Sequence, residues 1–176
     1  MDLMDMPASF AEPLDELASF HRRAERHLAS FAALAVHLEA NGVDSRASAT
    51  AAGLIAFFST GMPLHHADER ELLSLVEARL ALDGRFTPLR EGLESDHREL
   101  ALQWRGLRRP LEVVAEGLHR PLSHDAIHYF RATHAAHVAR EEGELFPGAA
   151  RSLQMSDRAV LRSAIDARRT RNRRFA

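Results

Sequence analysis

Two reactive residue types are missing from this chain of 176 residues. It contains no cysteine, which excludes disulfides, thiolate zinc sites, iron–sulfur clusters and cysteine nucleophiles. It also contains no lysine, because all 23 basic residues are arginine. Schiff-base chemistry and Walker-type phosphate loops both need a lysine and are therefore excluded. The chemistry of any site must come from other side chains.

Long apolar runs and a strong charge imbalance are missing as well. No continuous apolar run approaches the roughly 20 residues that a membrane span needs. The N-terminus lacks a basic segment followed by an apolar one, so we expect no membrane association and a cytoplasmic location. The net charge of −2 does not favour general nucleic-acid binding.

Glycine and proline are scarce, with 9 and 7 residues, whereas alanine, leucine, arginine and glutamate are abundant. Hydrophobic residues make up 45% of the chain, enough for a core at this length. This composition predicts an all-α fold. We expect a frayed or disordered N-terminus over residues 1–12, a helical domain over 13–150, and an extra helix with an Arg-rich tail over 151–176.

Apolar periodicity and capping residues divide the domain into four long predicted helices. Apolar residues recur at helical spacing between Leu17 and Leu38 in the first of them. Pro63 should kink or break the second helix, Pro110 should follow the end of the third, and Pro147 should interrupt the fourth. With mostly short connections, the four helices predict an up-down-up-down four-helix bundle. Their predicted ranges are 13–39, 45–82, 87–109 and 123–146, and a short last helix opens at Ser156.

Histidine is unusually frequent, with 11 residues. Two histidine-containing segments resemble each other, HHADERELL at 65–73 and HVAREEGELFP at 137–147. Each has a glutamate four residues after a histidine, which places His65 with Glu69, and His137 with Glu141, on one helix face. Imidazole plus carboxylate suits iron, manganese or zinc. Chance gives about 1.6 such pairs in a chain of this composition, so the pairs alone are weak evidence.

Depth along the predicted bundle supports a shared site. His21 lies about 12 Å along the first helix and His97 about 14 Å along the third, at about 1.5 Å per residue. His65 and Glu69 lie about 20–26 Å before the end of the second helix, an offset within the uncertainty of its predicted ends, and His137 and Glu141 lie about 8–14 Å before the end of the fourth. In an antiparallel bundle the starts of the first and third helices lie at the same end as the ends of the second and fourth. All four helices can therefore deliver a ligand near one plane.

These pieces, in this order, resemble the hemerythrin-like, HHE cation-binding family over roughly residues 15–150. The resemblance implies a four-helix bundle around a non-haem di-iron centre. Its cofactor would be two Fe ions, with a bridging oxo or hydroxo group as an optional feature and zinc or manganese as substitutes. The matching pieces are FHRRAE around His21, FFSTGMPLHHADE around His65 and Glu69, ESDHREL around His97, and HAAHVAREEGELFP around His137 and Glu141.

The resemblance also implies roles for six residues. Oxygen-carrying members place two histidines one turn apart on the third helix, whereas Leu93 and Ala101 occupy those positions here and cannot bind metal. One ligand fewer argues against a reversible oxygen carrier and favours more reactive iron. The implied bridging ligands are Glu69 and Glu141, and the implied terminal ligands are His21, His65, His97 and His137.

Membership of the site is left open for four further residues. Oxygen carriers often place the last carboxylate five residues after its histidine, which is Glu142 here and requires a π-bulge to face the site. Glu94 forms an ExxH motif with His97 and could supply the missing ligand. A ferritin-like site needs that motif twice, so that family matches less well. His66 and His134 are either outer partners that orient a ligand or exposed residues.

The resemblance implies a protein that binds or senses O2, NO or peroxide, or iron itself, rather than a dedicated enzyme. Two alternatives stay open: a catalytic di-iron protein acting on peroxide or NO, and a metal-free helical interaction module. His124 and His128 form another pair four residues apart, for which exposure is the simpler interpretation. The five arginines within 168–174 are expected to form a solvated, frayed tail rather than a nucleic-acid-binding segment.

Overall fold

The computed structural model describes residues 13–80, 84 and 86–175, with side chains to residue 172. Within them no strand occurs, and the all-α prediction is confirmed. The segment predicted to be frayed, 1–12, lies outside the described residues. Two single π-helical turns, π1 and π2, continue α-helices. The elements are α1 (Pro13–Asn41), α2 (Ser45–Ala56), π1 (Phe57–Gly61), α3 (Met62–Leu80), α4 (Phe86–Ala115), α5 (His124–Arg140), π2 (Glu141–Leu145), α6 (Phe146–Ser152) and α7 (Met155–Phe175).

Helix α1 follows its apolar stripe over most of its length. The apolar residues at helical spacing from Leu17 to Leu38 are buried. Gly42 closes the helix with φ 73°, a conformation that glycine adopts without strain. Asp44 then caps α2, because its carboxylate accepts a 2.7 Å hydrogen bond from the backbone N–H of Ala47.

Elements α2, π1 and α3 form one continuous helical rod across Pro63, and the helix is not broken there. A proline ring crowds the carbonyl four residues back and cannot donate a backbone hydrogen bond. That carbonyl belongs to Ser59, which lies inside π1. In this turn the N–H of Met62 bonds the carbonyl of Phe57, so the register is one residue wider than in an α-helix. The π turn therefore accommodates the proline.

The prediction that the third helix ends before Pro110 is wrong. Helix α4 continues for five residues past this proline. Leu107, Leu111 and Val114 are buried on both sides of it, so the apolar stripe does not stop at the proline. Burying these side chains offsets the one hydrogen bond that the proline removes.

The fourth rod, α5, π2 and α6, also runs further than predicted. Its start is as expected, since the Ser123 hydroxyl accepts a 3.2 Å hydrogen bond from the N–H of Ala126. The predicted interruption at Pro147 does not occur. Pro147 lies in the first turn of α6, directly after π2, where a missing N–H costs little.

The long rods contact one another in a ring, because α1 and α4 each pack against both α2 and α5. Two apolar cores lie along the ring. The large core includes Leu28, Phe31, Phe58, Leu111 and Phe130. The small core includes Leu17, Leu73, Leu93, Leu161 and Ile165. On α3 and α4, buried polar residues separate the residues of the two cores.

Helix α7 docks on α3 and begins one residue before its predicted start. Leu161 and Ile165 contribute to the small core. Arg168 donates hydrogen bonds to Asp68 at 2.8 Å and Glu71 at 3.0 Å. The expectation of a frayed tail is therefore wrong, since the helix continues to residue 175.

One stretch of the described chain, Ser45–Leu80, could cross a membrane by length and composition, with a mean hydropathy of 1.3 in its best window. It mixes alanine, serine, threonine and glycine with apolar residues, so it is not a continuous apolar run. A single such stretch is weak evidence, because core helices pass the same test.

Candidate metal centre

Seven buried polar side chains from the four rods meet between the two cores. They form two groups of four in which the candidate ligand atoms all lie within 4.8 Å of one another. Glu69 belongs to both groups. The first cluster is His21, His65, Glu69 and Glu141, and the second cluster is His66, Glu69, His97 and His137.

Helix spacing explains how α3 supplies three of these side chains. His65 lies four residues before Glu69, and His66 lies three before it. Both separations return to nearly the same helix face. Two neighbouring histidines therefore lie on either side of one carboxylate, and each enters a different cluster.

Glu69 is fully buried and faces both clusters. Its Oε1 lies 2.5 Å from His65 Nε2 and 3.5 Å from His21 Nε2. Its Oε2 lies 3.1 Å from His97 Nε2. One carboxylate oxygen is thus directed to each cluster, which is the arrangement that a bridging carboxylate requires.

Glu141 also lies between imidazoles of both clusters. It is fully buried at the first position of π2. Its Oε2 is 3.2 Å from His21 Nε2 and 3.3 Å from His137 Nε2. A second carboxylate is therefore placed where it could contact two ions.

The candidate ligand atoms lie at ion-pair distances from one another without hydrogen bonds of good geometry between them. Among the described residues, the Nε2 atoms of all five histidines and all four oxygens of Glu69 and Glu141 are buried without a hydrogen-bond partner. An unsatisfied buried polar atom costs roughly 1–3 kcal/mol, so nine of them in one place need a common partner. Cations between these atoms would satisfy them, so the donor set fits metal ions. The histidines are His21, His65, His66, His97 and His137.

The two carboxylates differ in charge when no metal compensates them. Burial alone would raise the pKa of Glu69, but His65 and His21 hold it well below its usual value. Burial and the negative charge of Glu69 raise the pKa of Glu141 well above its usual value. Burial lowers the pKa of His21, yet contacts with Glu141 and Glu69 outweigh burial and raise it to about 10. Protons thus take the place of cations, and metal binding would release them.

Residues 12–149 match the family of the hemerythrin HHE cation binding domain. The match covers most of the chain. The chain belongs to this family. A protein of Haemophilus influenzae (strain ATCC 51907 / DSM 11121 / KW20 / Rd), itself described only as uncharacterized, is 24% identical over 135 residues, which cover 77% of each chain.

Carboxylates outside the two clusters orient two of the imidazoles of this HHE domain. The Nδ1 of His21 is 2.9 Å from Glu142 Oε1. The Nδ1 of His137 is 3.4 Å from Asp96 Oδ2, and the same oxygen accepts a hydrogen bond from Arg140. A carboxylate on Nδ1 fixes the tautomer that leaves Nε2 free to bind a cation.

The structure brings together all six residues that the sequence analysis singled out. His21 comes from α1, His65 and Glu69 from α3, and His97 from α4. His137 and Glu141 come from α5 and π2. That these side chains bind metal stays a prediction. The geometry supports the choice of Glu141 over Glu142, because Glu141 faces the other ligand atoms and Glu142 contacts the outer nitrogen of His21.

His66 is the cluster member that the sequence reasoning did not choose as a ligand. Its ring stacks on that of His97 with centroids 4.0 Å apart. Burial lowers its pKa well below the usual value, so the ring stays neutral and able to coordinate. Its separation of three residues from Glu69 was the available signal. With His66 the HHE domain has seven candidate ligands instead of six.

The remaining candidates lie outside the two clusters of the HHE domain. Glu94 accepts a 3.0 Å hydrogen bond from Arg90. His134 is buried, and burial together with the neighbouring histidines lowers its pKa to about 3. His124 and His128 are exposed, as expected, and His124 pairs with Glu39 at 2.8 Å.

Proposed function

We propose that this HHE domain holds two iron ions, one in each cluster, and binds or senses O2, NO or peroxide. One observation carries the proposal: two buried four-residue clusters share Glu69, whose oxygens face opposite clusters. Imidazole and carboxylate together suit iron, with manganese and zinc as competitors. A bound iron pair would supply electrons to such small oxidants.

The side chains of this chain would set the conditions for that chemistry. Glu69 and Glu141 would offset the cation charge and fix the separation of the two ions. Five neutral imidazoles would complete the ligand set. The large core on one side and the small core on the other would limit the access of water.

The proposal includes the predicted up-down-up-down bundle. The ring of contacts among α1, α2, α4 and α5 supports it, as does the short connection of residues 42–44 between α1 and α2. Such a bundle places ligands from facing helices at one depth.

Elemental analysis of freshly purified protein, after anaerobic loading with ferrous iron, tests the proposal. We expect about two irons per chain in the parent, because the ligands form two clusters. His65→Ala and His137→Ala should lower this content, whereas the exposed control His124→Ala should not. Loaded parent protein should also change its absorption spectrum on exposure to O2 or NO.

A parent without iron after loading would overturn the di-iron proposal. It would leave zinc or manganese as the metal, or a helical interaction module as the function. Iron content that stays unchanged in both cluster variants would show that the metal binds elsewhere.

A second candidate function is catalysis on peroxide or NO. The side chains of His66 and His97 line an open pocket of about 500 Å³. An open face allows a small molecule to exchange beside the second cluster, as turnover requires. Repeated consumption of peroxide by loaded protein, lost in His97→Ala, would support catalysis over sensing.

A further inference from the structure

A second, largely apolar cavity adjoins the metal centre between π1, α3, α4 and α5. Its volume is about 240 Å³, just below the roughly 300–1,000 Å³ of pockets for drug-sized ligands. Phe58, Leu100, Trp104 and Phe130 line it. The ring of Phe58 lies 5.1 Å from that of Trp104 and 5.3 Å from that of Phe130. The cavity therefore suits a small apolar group.

The apolar cavity and the open pocket share part of their walls. Pro63, His66 and Ala101 line both. The open pocket also reaches His97. A molecule seated in the apolar cavity would therefore have its other end in the open pocket, beside the second cluster.

Three arginines surround this shared opening. Arg70 and Arg98 line the open pocket, and Arg105 lines the apolar cavity. All three are exposed. Over residues 13–80, 84 and 86–175, no ion-pair or hydrogen-bond partner is recorded for any of their guanidinium groups. The carboxylate of Glu94 also lines the pocket, but it is bonded to Arg90. The opening therefore carries uncompensated positive charge next to an apolar cavity.

We propose that this pair of pockets binds a small anionic amphipathic molecule, a medium-chain carboxylate. The apolar cavity would take the hydrocarbon chain, and the arginines would take the carboxylate, which the guanidinium fork matches in shape and charge. The cavity volume of about 240 Å³ limits the ligand to a chain of medium length. This site goes beyond the proposed function, because none of its contacts requires a metal ion.

Trp104 gives a direct readout. It is the single tryptophan of the chain, it lines the cavity, and its indole N–H donates a 3.3 Å hydrogen bond to Ser59. We would titrate octanoate into the full-length protein, both metal-free and iron-loaded, and follow tryptophan emission. Octanol lacks the charge and acetate lacks the chain. Saturable binding of octanoate in both forms, at least tenfold tighter than that of octanol or acetate, is the expected result.

Paired charge variants test the head-group contact. Arg98→Gln with Arg105→Gln should weaken octanoate binding about tenfold, because it removes two of the three cations. Arg22→Gln with Arg26→Gln removes the same charge from exposed positions on α1 and should leave binding unchanged. Equal weakening in both double variants would show non-specific attraction and overturn the proposal.

Binding measurements on the parent protein alone can also overturn the proposal. Octanol that binds as tightly as octanoate would show that the arginines play no part. Octanoate that binds only the iron-loaded protein would be a metal ligand rather than an occupant of the cavity. Either result overturns the proposal and leaves the di-iron centre unaffected. Conversely, octanoate binding by the metal-free protein would support the proposal even if the di-iron centre were disproved.

Discussion

The two halves of the candidate centre are built from different ligands. The first cluster has two carboxylates and two imidazoles, and the second has one carboxylate and three imidazoles. Glu141 also lies 3.3 Å from His137 of the second cluster, so both carboxylates are placed to contact both ions. The two ions would then differ in the number of imidazoles around them, two in the first cluster and three in the second.

The two clusters also differ in their surroundings. Aromatic rings cover the first cluster: Phe20 stacks on His65 with centroids 4.0 Å apart, and Phe146 stacks on His21 at 5.6 Å. The second cluster borders the open pocket through His66 and His97. We expect the first ion to be held firmly and the second to exchange ligands.

The largest effect should come from Glu69, the residue common to both clusters. Glu69→Gln keeps the size of the side chain but removes the charge that faces both ions. We expect the iron content to fall from about two per chain to near zero. Glu94→Gln is the matched control on the open side, since Glu94 lies outside both clusters. Retention of both irons in Glu69→Gln would mean that the clusters are not joined through this residue.

The next largest effect should separate the two clusters. His65→Ala should remove the first-cluster ion, and His66→Ala the second-cluster ion, so each variant should keep about one iron per chain. Because the second cluster borders the open pocket, the spectral response to NO should be weaker in His66→Ala. His27→Ala serves as the control, since His27 is half-buried outside both clusters. A stronger loss of the NO response in His65→Ala would reverse the assignment of the exchangeable side.

The sequence predicted that residues of four helices share one layer, but it did not predict every residue that lies in that layer. Helical spacing and depth brought six residues to one level, because both follow from the regular rise of an α-helix. The sequence leaves the membership of His66 open, because adjacent helical residues diverge by about 100° and His65 already faces the site. Along the helix, Glu69 points between the directions of His65 and His66. Only the packed structure shows that both histidines face the site, one in each cluster.

Helix ends were harder to predict where proline meets burial. Pro110 is predicted to follow the end of a helix, but Leu111 and Val114 beyond it are buried and helical. Pro63 is predicted to kink or break the helix, and in the structure a π turn accommodates it without a break. Such outcomes depend on tertiary packing, which local propensity does not contain. The π turn that begins at Glu141 is likewise not predicted from the sequence. The sequence analysis mentions a π-bulge only as what Glu142 would need in order to face the site.

A smaller effect should come from the carboxylates that orient imidazoles. Asp96→Asn weakens the contact to His137, and Glu142→Gln weakens the contact to His21. Loss of such an outer partner lowers metal affinity about 10–100-fold. In competition with a chelator, we expect Asp96→Asn to release the second-cluster ion first and Glu142→Gln the first-cluster ion first. Release of the same ion by both variants would contradict the pairing seen here.

A last effect concerns the stability of the metal-free protein, where the pKa values of the two clusters' histidines shift in opposite directions. His21 of the first cluster has its pKa raised to about 10, since its carboxylate contacts outweigh burial. Its contribution to stability is complete below the unfolded pKa of 6.5 and is lost as pH rises toward 10. His137 of the second cluster has its pKa lowered by burial to about 4. Its neutral form favours folding above pH 6.5, and stability falls as pH drops toward 4.

Urea unfolding of chelator-treated protein across pH 4–10 measures this difference. Each histidine should contribute a slope of about 1.4 kcal/mol per pH unit, because folding changes its protonation by one proton within its own window. His21→Gln should flatten the alkaline side of the stability profile, and His137→Gln the acidic side. If both variants flattened the same side, the two imidazoles would not differ in charge. The distinction between a carboxylate-rich first cluster and an imidazole-rich second cluster would then fail in the metal-free state.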